Sequence, residues 1–263
     1  MIRSIPSARR LVASAILVGL VAACSNGAGS PTPNAYATGA IVPPASAAAA
    51  TPSAATPAPA TPAAAASTGT ASGACPTSPP PPLAAGETRT VTITTPKGTI
   101  VLKIEADLGP NAAGNFVELA ACGFYNGVVF HRLVPGFVIQ GGDGEFGRVG
   151  ADGKLSADDQ ARVGTGGPGY GFKDQPVQGA YKRGTLAMAR TSAPDSQGSQ
   201  FFIVLDDAAA QALDSVRTYA IFGEVTSGLD VVDAIAAMPN SGQQTGNAAL
   251  EPVPMTSVTV SNP

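Results

Sequence analysis

Large apolar residues are distributed so unevenly along this 263-residue chain that only its later part can hold a core. From Ser25 to Ala85 the sequence is dominated by Ala, Pro, Thr, Ser and Gly, and no charged residue falls between Arg10 and Glu87. Such a stretch lacks the surface that would offset the entropy of ordering it. Residues 25–86 are therefore predicted to be a disordered linker, extended locally by Thr-Pro and Ala-Pro steps that favour polyproline geometry. Residues 87–263 hold most of the Phe, Ile, Val and Leu, enough for one compact domain. The net charge is −3, and Lys and Arg form no basic cluster of the kind a nucleic-acid-binding face presents.

Residues 1–24 read as an address. Arg3, Arg9 and Arg10 precede an apolar run over residues 11–23, the layout of a secretory signal. The run is shorter than the ~20 residues a membrane-spanning helix needs, although an uncleaved anchor stays open as the alternative. Val21-Ala22-Ala23-Cys24 resembles the bacterial lipobox, which implies that Cys24 carries lipid. Two or more acyl chains anchor a protein stably where one does not. The expectation is an extracytoplasmic lipoprotein, held at a cell surface or in a periplasm. Outside the cell the remaining Cys75 and Cys122 either pair or stay free. Pairing would fasten the end of the linker to the helix ending near Cys122.

In the domain, Thr90, Val91, Thr92 and Ile93 alternate polar and apolar, which predicts a strand over residues 88–95. Pro96-Lys97-Gly98 turns the chain into a partner strand over 99–104. Ala112, Asn115, Phe116 and Leu119 recur at helical spacing over 111–121, and Gly123 supplies a stop. Further strands are predicted at 128–133, 137–141, 184–189, 201–205, 219–224 and 257–260, and a second helix at 229–237. Residues 142–168 read as a long polar surface loop. Short strands joined by Gly-rich turns, with two helices far apart, suggest a closed antiparallel barrel with helices at its ends.

The run Phe130-His131-Arg132-Leu133-Val134-Pro135-Gly136-Phe137-Val138-Ile139-Gln140-Gly141-Gly142-Asp143 resembles the signature of the cyclophilins. Gly164-Thr165-Gly166-Gly167, Gly184 to Arg190, Gly198 to Ile203 and Ile221-Phe222-Gly223-Glu224-Val225 are similar in the same order. The resemblance implies an eight-stranded barrel and prolyl cis–trans isomerase activity, with proline-containing unfolded or flexible polypeptides as substrates. It further implies that Arg132, Gln140 and Phe137 are catalytic. Val138, Phe202 and Leu213 would join Phe137 in a proline pocket, Ala189, Arg190 and Gln200 would line the groove wall, and Tyr219 would stand beside it. Two departures are visible: Val138 replaces the usual Met, and Arg190 replaces the Asn common in eukaryotic members.

Other chemistries find little support. His131 is the only histidine, which excludes any His-rich metal site, and its expected role is structural. Gly141-Gly142-Asp143-Gly144 lacks the Lys-Ser/Thr of a phosphate loop. The acids from Asp143 to Asp159 are too irregular for a calcium loop and are expected to be solvated. No cofactor or metal is expected, and the chain should be monomeric. The rival reading is a catalytically weak module that binds proline segments while tethered at the cell surface.

Overall fold

A computed structural model describes residues 73–262. The predicted signal segment, the Cys24 lipidation site and the linker before residue 73 lie outside the described residues. Among the described residues, β1 (Thr88–Thr95) and β2 (Gly98–Glu105) form a hairpin, followed by α1 (Pro110–Ala121). Then come β3 (Val129–Val134), β4 (Val138–Gly141), α2 (Ala157–Arg162), β5 (Thr185–Met188), β6 (Phe201–Val204) and α3 (Asp207–Val216). The chain ends with β7 (Ile221–Ser227), α4 (Leu229–Ala236), β8 (Ala248–Pro254) and β9 (Ser257–Ser261).

The strands make one antiparallel sheet in the order β8-β3-β4-β6-β5-β7-β2-β1-β9. This corrects the expected closed eight-stranded barrel with two helices: nine strands curl into an open half-barrel, with four α-helices among the described residues. The link from β8 to β9, the two edge strands, runs across the seam and bonds to both sides. Met255 exchanges hydrogen bonds with Gly127 and Val128 on the β3 side, and the Thr256 amide donates to Thr94 of β1. The missed β8 contains Pro252 and Pro254, which argue against a strand unless it lies at an edge, where β8 does lie.

Alternation does the work inside. Val91 and Ile93 of β1 and Ile100, Leu102 and Ile104 of β2 are buried on one face. They meet Phe116 of α1, whose ring lies 5.1 Å from Phe201 and 5.0 Å from Phe222 between centroids. Pro110 opens α1, where its missing N–H costs nothing. Strand β6 differs, because all four of its residues are buried. Phe201 and Ile203 point into the main core, while Phe202 and Val204 join a second cluster on the outer face under α3. Helix α3 was not expected, since its buried stripe is mostly Ala209 and Ala210, but the Asp206 side chain caps it by accepting from the Ala209 amide.

Residues 75–83, expected to belong to the linker, lie against α1 instead. The Leu83 amide donates to the Pro110 carbonyl at 3.0 Å. Gly114 lets this strap approach, since a Cβ there would stand 2.4 Å from the Pro81 oxygen. A disulfide joins Cys75 to Cys122, across 47 residues. Closing a loop of that length stabilises by about 3–4 kcal/mol through the unfolded state. Replacing both cysteines by Ser should lower the unfolding free energy by roughly that amount in urea titrations. An unchanged midpoint would show that the bridge constrains nothing.

Candidate active site

Strand β3 carries one residue too many for a regular ladder. Phe130 pairs with Gly141, but Arg132 pairs with Gln140, so two residues of β3 oppose one of β4. This bulge reverses the facing of the residues after it. Phe130 and Leu133 both reach the main core, while Arg132, two residues from Phe130, turns to the outer face and stays half-exposed.

There the guanidinium enters a chain of polar contacts. Its Nη1 donates to Gln140 Oε1 at 3.3 Å, Gln140 Nε2 donates to Gln200 Oε1 at 3.0 Å, and Gln200 Nε2 donates to the carbonyls of Gly164 and Gly166. Arg132 Nε donates to the Gly246 carbonyl at 3.3 Å. Among the described residues its hydrogen-bond acceptors are neutral. Burial presses its pKa below the ordinary value, with the charge nonetheless retained, as for any arginine.

Beside this cation lies a cleft of about 200 Å³. Phe137, Val138, Phe202, Leu213 and Tyr219 give it an apolar lining, with Arg132, Gln140, Ala189 and Arg190 around them. Val138, Phe202 and Leu213 are buried, and Phe202 meets Tyr219 edge to face at 5.3 Å. Tyr219 is held in turn by Tyr181, whose hydroxyl donates to its carbonyl at 2.6 Å. Gln200 lies in a neighbouring depression of about 510 Å³, which shares Gln140, Ala189 and Arg190 with the first. Of the expected groove residues, Arg190 has its side chain committed elsewhere. Its three nitrogens reach Asp174 and the carbonyls of Thr191 and Ala193, so the guanidinium braces the 190–196 loop.

The wall of the larger depression comes from the segment expected to be a plain polar loop, which in fact contains α2. Asp143 is fully buried, correcting the expectation that these acids are all solvated. Its Oδ1 accepts from the amides of Glu145 and Phe146, and its Oδ2 from those of Gly164 and Gly166. Four donors make a buried carboxylate tolerable and tie both ends of the 142–168 excursion together. Next to it His131, the extra residue of the bulge, is 5% exposed. Two contributors were missed from sequence, Gly246 and Tyr181. Nothing in the local pattern links Gly246 to a strand 114 residues earlier.

The profile of a family described as cyclophilin type peptidyl-prolyl cis-trans isomerase/CLD matches residues 90–260. A probable peptidyl-prolyl cis-trans isomerase of Brucella abortus is 39% identical over 171 residues, covering 64% of this chain and 80% of the relative. Peptidyl-prolyl cis-trans isomerase B of Escherichia coli is 38% identical over 181 residues, covering 65% of this chain and 99% of the relative. A crystal structure of a Cryptosporidium parvum cyclophilin type peptidyl-prolyl cis-trans isomerase, in the presence of dipeptide Ala-Pro, superposes with a TM-score of 0.53. It is 27% identical and covers 66% of this chain and 99% of its own.

His131 reports on how dry the ground beneath Arg132 is. Burial pushes its pKa down from 6.5 to about 4, against the weaker pull of Asp143. As pH falls below 6.5 the unfolded chain takes up a proton that the folded protein refuses until pH about 4, so stability drains away across that window. The loss attributable to this ring is roughly 3 kcal/mol in full. Urea midpoints measured from pH 7 to 4.5 should therefore fall less steeply for His131→Gln than for the wild type. Parallel curves would mean that the imidazole titrates normally in the folded protein.

Proposed function

The chain belongs to the cyclophilin-type peptidyl-prolyl cis-trans isomerases and shares their activity, and from that premise we propose that Arg132 is its catalytic group and that it serves exported polypeptides. An X–Pro bond rotates slowly because partial double-bond character raises a barrier of about 18–20 kcal/mol. No bond breaks, so neither nucleophile nor metal is called for. At the top of the barrier the prolyl nitrogen becomes pyramidal and regains a lone pair. A fixed donor aimed at that nitrogen favours the twisted state over both planar isomers, which is what lowers the barrier.

The observation that carries this reading is the position of the Arg132 guanidinium, half-exposed at the rim of the cleft lined by Phe137 and Phe202. The apolar residues Phe137, Val138, Phe202 and Leu213 hold the proline ring, with Tyr219 against it. Gln140 orients the guanidinium and contacts the substrate carbonyl, while Ala189, Gln200 and the backbone of Arg190 line the path of the flanking chain. Support for this class of ligand comes from the fold relative crystallised with dipeptide Ala-Pro. Burying one proline ring contributes a few kcal/mol, which suits weak binding and fast exchange. A preorganised cationic donor contributes ~3–4 kcal/mol to the barrier reduction, the remainder coming from holding the ring while its neighbour swings.

The exported setting rests on the sequence of the first 24 residues: a cationic start, an apolar run and the lipobox-like Val21-Ala22-Ala23-Cys24. Proteins that cross a membrane unfolded must settle their prolines on the far side, where a tethered isomerase would meet them.

In a protease-coupled assay on a short X–Pro peptide, Arg132→Ala should lower kcat/KM by about 10²–10³-fold. Equal rates in the two proteins would remove Arg132 from the mechanism, and a wild type no faster than background would leave a proline-binding module instead. For the anchor, acyl labelling and membrane fractionation of the full chain should both be lost in Cys24→Ser. Label retained in that variant would show that the lipid sits elsewhere.

A further inference from the structure

The guanidinium of Arg132 is gripped from a second side. Ahead of β8 the chain makes a tight turn containing the 3-10 segment Gln243–Thr245. The turn is closed on itself: the Asn247 amide donates to the Gly242 carbonyl, and the Ser241 amide to that of Ala248. Ser241 Oγ accepts from the Ala248 amide and donates to the Thr245 carbonyl, while Thr245 Oγ1 donates back to the Ser241 carbonyl. Two successive carbonyls then face β3. That of Asn247 accepts from the Leu133 amide at 2.9 Å, and that of Gly246 accepts from Arg132 Nε.

The backbone conformation needed for this is unusual. Gly246 has φ 80°, and Asn247, although not glycine and only 7% exposed, has φ 57°. The Gly246 carbonyl belongs to the peptide plane flanked by ψ of Gly246 and φ of Asn247, so the left-handed Asn247, together with Gly246, aims the oxygen at Arg132. Asn tolerates that region better than most side chains, and a β-branched residue tolerates it poorly. A guanidinium is a rigid plane. Held at Nη1 by Gln140 alone it can pivot about that contact, but a second contact at Nε fixes the plane.

We propose that the turn at residues 241–247 is a positioning element for Arg132, and that Asn247 is the residue through which it acts. The assignment rests on Arg132 being the catalytic cation. Asn247 touches no substrate; it sets where the guanidinium points.

The test separates turnover from binding. Using an Ala-Pro-containing tetrapeptide, kcat and Kd are measured by exchange NMR for the wild type, Asn247→Val, Asn247→Gly and Arg132→Ala, and for Asn247→Val in the Arg132→Ala background. Asn247→Val should lower kcat roughly tenfold while leaving Kd within about twofold, because a misaimed donor harms the twisted state alone. Asn247→Gly, which accepts positive φ freely, should restore most of the rate. In the Arg132→Ala background Asn247→Val should add no further loss. The proposal is overturned by a folded Asn247→Val with unchanged kcat, by equal losses in kcat and affinity, or by a full additional loss without Arg132. Should Asn247→Val fail to fold, Ser241→Ala loosens the same turn without strain and must show the same split. An inactive wild type would instead remove the catalytic reading beneath this assignment.

Discussion

Between Phe130 and Arg132, two residues of β3 stand against one of β4, and the outward placement of the cation follows from that mismatch. In a regular strand Arg132 would share a face with Phe130 and enter the main core, where an unpaired charge costs several kcal/mol. With the bulge, Leu133 takes the inward position and Arg132 meets Gln140 on the other side. The extra residue must go somewhere, and His131 is buried beneath the loop, next to Gly164. Its lowered pKa is the local record of that burial. The same irregularity disrupts pairing with β8, where the register slips past Phe130 and leaves room for the turn before Ala248 to reach Arg132.

The second constraint is an apolar outer face. Antiparallel sheets commonly turn one face of polar residues to solvent, but here Val138, Ala187, Phe202 and Val204 make the outer face greasy. Helix α3 covers part of it with Ala209, Ala210 and Leu213. Where the helix stops short, the uncovered strip between Phe137, Phe202 and Tyr219 forms the cleft. Helix residues as small as Ala let α3 lie close to the sheet, while Phe137 and Tyr219 at the cleft stay partly exposed. A cleft open to solvent suits a catalyst that must release both isomers of a flexible chain, since tight burial would stabilise planar and twisted states alike.

Much of this was legible in the sequence, for reasons that differ by residue. The β1–β2 hairpin, α1 and α4 declare themselves by period, because each buries one face against one core. The short strand at Phe201–Val204 is legible as an apolar run rather than by alternation, which burial on both faces erases. The two prolines of β8 disguise an edge strand, and the alanines of α3 dilute its stripe. The groove residues were named by family resemblance, and their periodicity would have sent Phe202 and Leu213 to an ordinary core. That Asp143 is interior, and that Gly246 meets Arg132, depend on contacts between distant segments that no local pattern encodes.

The polar relay behind Arg132 has a direction that its ends impose. A guanidinium can only donate, so Gln140 must present its carbonyl oxygen there and has its amide nitrogen left for Gln200. Gln200 must then accept with its own oxygen and donate onward, and the receivers, Gly164 and Gly166, are backbone carbonyls that can only accept. Neither amide can be reversed without setting donor against donor or acceptor against acceptor. The amides of those same two glycines are held by Asp143. A buried carboxylate thus anchors the far end of a chain whose near end is the cation. Between them stand only groups of fixed polarity, so Arg132 is oriented by the loop it never touches as well as by the strand it sits on.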